Sequence, residues 1–152
     1  MHNKHGKDLA CQVCHSQKYK NCYQCHVAKP GSPVAHGLKM PSEIDFKIGR
    51  NPIKSDVHPW DFVLLRHIPI SPDTYLEYGI DLPEYMSLPT WKYTSPHNIQ
   101  KNTPQTESCG SCHGKSNLFL TEGFILVKTA TGAMDEEETE ANAEVVVNKV
   151  PD

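Results

Sequence analysis

The sequence predicts a small fold that is mostly irregular, with short α-helices, little β structure and a core that side chains alone do not fill. Three observations lead to this prediction. Hydrophobic residues make up 38% and aromatic residues 8% of the 152-residue chain, which is little material for a side-chain core. Eleven of the twelve prolines lie between Pro30 and Pro104. All six cysteines belong to one repeated motif.

The prolines limit the secondary structure in the middle of the chain. Each proline removes a backbone donor and fixes φ, so residues 30–104 are not expected to hold long helices or a central strand. A structureless run of this length is unusual inside a compact domain. We therefore expect a disulfide net, a metal or a large bound cofactor to organise the chain.

The cysteines form three C-x-x-C pairs, and a histidine directly follows each pair. The motifs are Cys11-Gln-Val-Cys14-His15, Cys22-Tyr-Gln-Cys25-His26 and Cys109-Gly-Ser-Cys112-His113. This five-residue pattern is the attachment signature of c-type haem. Two thiols add to the two vinyl groups of one porphyrin, and the adjacent imidazole binds the iron as the proximal ligand. Because only 9 of 152 residues are histidines, chance rarely places one after all three pairs.

Other uses of these cysteines account for less of the pattern. The first two pairs match a Cys₄ zinc site, but the third pair then has no partner pair. A disulfide within each pair closes a very small loop and stabilises little. A thioredoxin-like redox site lacks the surrounding βαβ pattern, and an iron–sulfur cluster leaves the three histidines unexplained. We therefore expect three covalently attached haem c groups, with zinc as the alternative that remains.

On these three motifs, which cover fifteen residues, the chain resembles the multihaem cytochromes c of bacterial respiration. The resemblance implies a small, haem-dominated fold whose core is formed largely by stacked haems. It also implies electron transfer in an anaerobic or metal- or oxyanion-reducing respiratory chain, in the periplasm or at the outer cell surface of a bacterium. Met1 runs directly into His2 and Asn3 without a signal peptide, so we expect a mature chain or a segment of a larger cytochrome.

Six further histidines are candidates for the second axial ligands. Low-spin electron-transfer haems take a second ligand, usually His or Met, so three haems need three of them. A Pro-Gly-rich loop leads to His36, His97 precedes Cys109 by twelve residues, and His5 precedes Cys11 by six. The sequence ranks the candidates in the order His36, His97, His5, His67, His58 and His2. With so many histidines present, bis-His ligation is favoured over ligation by methionine.

The chain is predicted to consist of a multihaem domain, residues 1–129, and an acidic tail, residues 130–152. The first two motifs are so close along the chain that their haems are expected to lie near each other. A proline at the first helical position predicts a short helix over residues 73–78 that ends at Gly79. The apolar run 124–127 predicts a short strand or a buried extended segment.

The charges of the chain are concentrated in the tail. Seven acidic residues and one lysine give residues 130–152 a formal charge of −6, which leaves +3 for residues 1–129 because the whole chain carries −3. The tail is expected to be solvated and disordered unless its Val145-Val-Val147 triplet docks on a neighbour. The body lacks the dense basic cluster of a nucleic-acid-binding protein, and no apolar stretch is long enough to span a bilayer.

The excess of histidine favours an electron carrier over an enzyme, because a catalytic haem needs an open coordination position. The alternatives are a subunit of a multihaem reductase with one such haem, and a protomer of a surface assembly whose spare histidines serve a neighbour. The expected partners are redox proteins or other multihaem subunits, including further copies of this chain.

Overall fold

The structure is a computed structural model that describes residues 2–18, 20–21, 27–28, 35–36, 42–43, 46–67, 79–81, 89–125 and 136–152. The α-helices are α1 (His2–His5), α2 (Cys11–His15), α3 (Pro104–Glu107), α4 (Glu122–Ile125) and α5 (Glu136–Asn142). The strands are β1 (Lys20–Asn21), β2 (Val27–Ala28), β3 (Ala35–His36), β4 (Ser42–Glu43), β5 (Phe46–Arg50), β6 (Phe62–His67) and β7 (Trp91–Tyr93). Turns of 3₁₀ helix cover Cys109–Ser111, Ser116–Leu118 and Ala143–Val145.

An antiparallel sheet of three strands, in the order β5-β6-β7, forms the centre of the fold. Ile48 lies opposite Leu64, and Leu65 lies opposite Tyr93. The consecutive residues Val63, Leu64 and Leu65 are all buried. Because successive side chains of a strand point to opposite faces, both faces of β6 are covered. Strands β1 and β4, and strands β2 and β3, form two further antiparallel pairs.

Residues 30–104 therefore do contain a central strand, and the expectation drawn from their prolines is wrong on this point. Strand β6 has a neighbour on each side and lies in the proline-free stretch between Pro59 and Pro69. A proline removes a ladder hydrogen bond only where it stands, so a six-residue strand fits between two of them.

Two layers cover the two faces of this sheet. Residues opposite each other in an antiparallel pair share a face, so Ile48 and Leu64 lie on one side, where α2 packs through the buried Val13. Gly49 lies on the other side, against the end of the chain. A Cβ atom on Gly49 would lie 2.3 Å from Leu65 Cδ1 and 2.8 Å from Val145 O, so this close approach requires glycine.

Side chains from both layers join in one hydrophobic core. Its buried members within the described residues are Ala10, Val13, Ile48, Val63, Leu64, Leu65, Trp91, Phe119, Leu120, Ile125, Val145, Val146 and Val147. The described part of the chain thus buries more apolar side-chain surface than the composition led us to expect. A contribution of stacked haems to the core stays a prediction.

The end of the chain differs from the solvated tail that its charge predicts. Val145, Val146 and Val147 are buried, and Val147 N donates to Leu120 O at 2.8 Å. Arg50 Nε donates to Val146 O at 3.1 Å. The valine triplet therefore docks on this chain's own sheet, because removing its apolar surface from water is favourable whatever the charge of the neighbouring residues.

A buried amide connects α5 to the sheet. Asn142 Oδ1 accepts hydrogen bonds from the backbone N–H groups of Thr90 at 2.9 Å and Trp91 at 3.0 Å. Asn142 Nδ2 donates to Thr90 Oγ1 at 2.9 Å. The side chain thus satisfies two backbone donors beside β7 that have no access to water.

The predicted strand at 124–127 is wrong for its first two residues. Phe124 and Ile125 form the last half of α4, and Phe124 N donates to Thr121 O at 2.9 Å. Helix α4 packs on α5. Within α4, Ile125 is buried, whereas Phe124 is 44% exposed. The helix predicted over 73–78 lies outside the described residues, although Gly79 has the positive φ of +74° that ends many helices.

We predict that Asn142→Ala destabilises the folded chain by about 2–4 kcal/mol, because it leaves two buried N–H groups without an acceptor. Asn148→Ala is the matched control, since Asn148 is an exposed amide six residues away. Its effect should stay within about 0.5 kcal/mol. Urea unfolding followed by circular dichroism measures both values, and equal midpoints for the two variants would contradict the docking of α5.

Candidate haem-binding site

The first cysteine motif is a single turn of helix. Helix α2 spans the motif from Cys11 to His15, with Cys11 exposed and Cys14 half-buried. Residues three apart lie on the same face of a helix, so both thiols lie on one side of the turn. Burial raises the pKa of the Cys14 thiol above its ordinary value, and the neighbouring Cys11 raises it further. The motif therefore presents two thiols side by side.

Hydrogen bonds from a distant segment hold this turn in place. Thr103 Oγ1 donates to Cys14 O, Gln100 N donates to His15 O at 2.8 Å, and Gln17 N donates to Asn98 O at 3.0 Å. All three contacts come from residues 98–103, just before the third cysteine motif. The segment between the sheet and the third motif thus also supports the first motif.

The ring of His15 is oriented by one of these residues. His15 Nδ1 lies 3.0 Å from Gln100 O. A carbonyl oxygen only accepts, so Nδ1 carries the hydrogen and Nε2 of the neutral ring carries the lone pair. Metal-binding histidines typically donate their second ring N–H to a carbonyl in this way. The contact therefore leaves Nε2 as the nitrogen that can bind a metal.

The third motif has a different backbone but the same arrangement of its histidine. A 3₁₀ turn covers Cys109–Ser111, and His113 N donates to Cys109 O at 3.0 Å. His113 Nδ1 lies 2.6 Å from Asp152 O, so this ring too donates from Nδ1 to a backbone oxygen. Gly114 has a φ of +71°, and its N–H donates to Pro151 O at 2.8 Å. The end of the described chain thus orients the third motif.

The two described motifs lie next to each other. One cavity of about 250 Å³ is bordered by Cys14 of the first motif and by Cys109, Cys112 and His113 of the third. Burial raises the pKa of the Cys112 thiol, and the nearby Cys14 adds to the rise. The two thiols are therefore close in space although 98 positions separate them in sequence.

The cavity between these motifs is apolar. Its hydrophobic wall consists of Leu9, Val13, Ile48, Phe62 and Phe119. His5 borders it as well, from helix α1. Ligand pockets are typically lined by apolar side chains with a few placed polar groups, and a haem is a large apolar plate with one metal at its centre. Thiols, an oriented imidazole and an apolar wall are the kinds of group that hold haem c, and haem attachment here stays a prediction.

Helix α1 brings two more histidines to the motifs. His2 Nε2 lies 3.4 Å from His15 Nε2, and the two rings are 5.7 Å apart between centroids with an interplanar angle of 30°. The rings of His5 and His113 are 6.1 Å apart between centroids, at 47°. Each described motif histidine therefore faces one histidine of α1.

The remaining candidate histidines lie elsewhere. His58 packs on Tyr93 at 5.4 Å and His67 on Trp91 at 5.2 Å, both between ring centroids. His97 is exposed. The backbone of His36 lies opposite Val27 in the β2–β3 pair. The second motif, with Cys22, Cys25 and His26, lies outside the described residues.

Sequence reasoning missed the groups that orient the two rings. Gln100 and Asp152 act through backbone oxygens, which every residue has, so their side chains carry no signal. Thr103 was missed as well, because its role depends on a contact across 89 positions of sequence. Gly114 did carry a signal, since a glycine directly after a motif indicates a turn.

Among the described cysteines, Cys11, Cys14, Cys109 and Cys112, no disulfide is formed. Within the ranges given above, no three His, Cys, Asp or Glu residues gather into a metal-binding group. In the same ranges, no helix has the length and apolar character needed to cross a membrane.

We predict that Gly114→Ala destabilises the chain by about 1 kcal/mol, because a positive φ is strained for any residue with a Cβ atom. Gly110→Ala is the matched control inside the third motif. Its new Cβ meets no atom closer than Ser108 Oγ at 3.9 Å, and its φ is not positive. This control should be neutral or stabilising by about 0.4–1 kcal/mol. Thermal unfolding distinguishes the two, and a lower midpoint for Gly110→Ala would contradict the described turn.

Comparison of the chain with protein-family models, with curated proteins and with solved structures found no match.

Proposed function

We propose that this protein is a multihaem cytochrome c that binds three haem c groups, one at each C-x-x-C-H motif, and transfers electrons. The observation that carries the proposal is the state of the two described motif histidines. His15 and His113 each donate Nδ1–H to a backbone oxygen and keep the lone pair on Nε2. Two motifs of different backbone conformation share this feature, which an axial haem ligand needs.

The proposal assigns each motif residue a task. Each thiol adds across a vinyl group, so that sulfur bonds to one vinyl carbon and the hydrogen goes to the other. The imidazole of the motif binds the iron through Nε2. The bound haem supplies a one-electron couple between ferric and ferrous iron. Gln100 O and Asp152 O keep the two described rings in the tautomer that leaves Nε2 available.

The apolar surroundings act on the redox properties of the site. Leu9, Phe62 and Phe119 give the cavity beside the third motif an apolar wall. Burial and the identity of the axial ligands are the main means by which a protein sets the potential of a haem, and His–His ligation gives lower potentials than Met–His ligation. Because we expect His–His ligation, we expect haems of low potential, of the kind that relays electrons.

Relay is favoured over catalysis by the position of the other imidazoles. A catalytic haem needs an open sixth position, whereas His2 and His5 face the two described motif histidines. By the same proposal the haems are attached outside the cytoplasm, so the protein works in the periplasm or at the cell surface. Its partners are then other redox proteins or multihaem subunits.

The test is the number and spin state of haems in the purified protein. We expect a pyridine haemochrome assay and an intact mass to give three c-type haems per chain, all low-spin and reversibly reduced by dithionite. The variant Cys11→Ala/Cys14→Ala should carry two haems, because one attachment site is lost. Gln12→Ala, which changes the same motif without changing its thiols, should keep three.

Two results would overturn the proposal. The first is a protein without covalent haem that binds zinc through its thiols. The second is a haem that remains high-spin in the native protein and binds small ligands, which would support the reductase alternative.

A further inference from the structure

We propose that helix α1 supplies the sixth ligand to two haems at once, with His2 opposite His15 and His5 opposite His113. This inference rests on the proposed function and deepens it, because it assigns which histidines complete the coordination. It departs from the order that the sequence favours, in which His36 and His97 stand first, His5 third and His2 last.

The contact between His2 and His15 is the first step. The nitrogens that face each other are the two Nε2 atoms, 3.4 Å apart. The Nε2 of His15 is the lone-pair nitrogen, because Nδ1 donates to Gln100 O. Metal–imidazole bonds are roughly 2 Å long, so two imidazoles on opposite sides of one metal ion have nitrogens about 4 Å apart. The pair needs to open by less than about 1 Å to accept a metal between its nitrogens.

The second step is the pair of His5 and His113. Both residues border the apolar cavity beside the third motif, together with Cys109 and Cys112. Their ring centroids are 6.1 Å apart. The two thiols, the motif histidine and a second histidine therefore surround one apolar space.

The backbone around α1 places its two histidines independently of any ligand. Gly6 N donates to His2 O at 2.8 Å, and Leu9 N donates to His5 O at 2.8 Å. A Cβ atom at Gly6 would lie 2.7 Å from His2 O, so the turn that ends α1 requires glycine. The chain then joins β6, where Ala10 N donates to Phe62 O at 3.0 Å. The sheet thus fixes where α1 stands relative to both motifs.

A separation of three residues suits a helix that serves two sites. His2 and His5 are three residues apart and therefore project from the same side of the turn, about 4.5 Å apart along its axis. The first and third motifs border one cavity, as the positions of Cys14 and Cys112 show. The rings of His2 and His5 therefore reach two adjacent motifs. By this proposal the haems of the first and third motifs also lie next to each other.

The other described histidines have different surroundings. The rings of His58 and His67 pack on Tyr93 and Trp91 of strand β7. Neither of these residues borders the cavity between the motifs, and neither does His97. His5 borders this cavity and His2 contacts His15, so the two α1 histidines differ from the other described candidates.

The experiment measures the spin state of the haem-loaded protein after substitution of each histidine. We expect His2→Ala and His5→Ala each to convert about one third of the ferric haem to high spin, because one of three haems loses its sixth ligand. The double variant should convert about two thirds. Absorption and electron paramagnetic resonance spectra report the spin state, and Asn3→Ala on the same helix is the control that should stay fully low-spin.

Two further variants assign each histidine to its haem. In a Cys109→Ala/Cys112→Ala background, which lacks the third haem, His5→Ala should cause no further change while His2→Ala still does. His2→Met should restore a six-coordinate haem with a raised potential, which a general disruption of the fold would not do. Added imidazole should likewise return the alanine variants to low spin.

The outcomes separate this inference from the proposed function. Three haems that all stay low-spin in His2→Ala and His5→Ala would overturn the inference and leave the cytochrome standing. A high-spin fraction that appears in His97→Ala, but in neither α1 variant, would overturn it in favour of the order taken from the sequence. Absence of covalent haem in the unmodified protein would instead overturn the proposed function.

Discussion

Strand β6 is the constraint on which the rest of the structure depends. Its backbone is hydrogen-bonded to β5 on one side and to β7 on the other. Its first residue, Phe62, also binds the N-terminal segment, because Phe62 N donates to Asp8 O at 2.9 Å. The first motif follows that segment directly, and the chain reaches the third motif after leaving β7. One buried strand therefore brings two distant motifs to the same side of the molecule.

The two oriented imidazoles show why this long-range arrangement matters. His15 uses a backbone oxygen 85 residues away in sequence, and His113 uses one 39 residues away. Neither oxygen is near its ring in an unfolded chain, so the ring tautomer depends on completed tertiary structure. The segment 98–103 contributes in two ways. Gln100 O orients the ring of His15, and Gln100 N and Thr103 Oγ1 donate to backbone oxygens of the first motif. The sites are thus properties of the folded chain, although the cysteines and histidines that define them are local.

The C-terminal segment combines a structural role with a role at the site. Its valine triplet covers the face of the sheet opposite α2, and Asn142 satisfies two buried donors next to β7. A few residues later, Pro151 and Asp152 supply the backbone oxygens that hold Gly114 and His113. The acidic charge that led us to expect a solvated tail lies mostly before the triplet, so it does not oppose docking.

The sequence by itself predicted the chemistry of the sites. Three C-x-x-C-H motifs predict haem attachment because thiols and imidazole at that spacing suit one porphyrin, and this holds whatever the fold. The sequence also predicted short helices and candidate ligands. It did not rank those ligands as the geometry does, because proximity along the chain says little about proximity in space.

Only the tertiary structure decided which groups meet. It placed β6 between prolines, docked the valine triplet, and brought His2 and His5 to motif histidines that they do not neighbour in sequence. The physical reason is that these contacts depend on backbone hydrogen bonds and buried apolar area across the whole chain. Backbone carbonyls are common to all residues, and burial is a property of the assembled core, so neither can be read from local residue types.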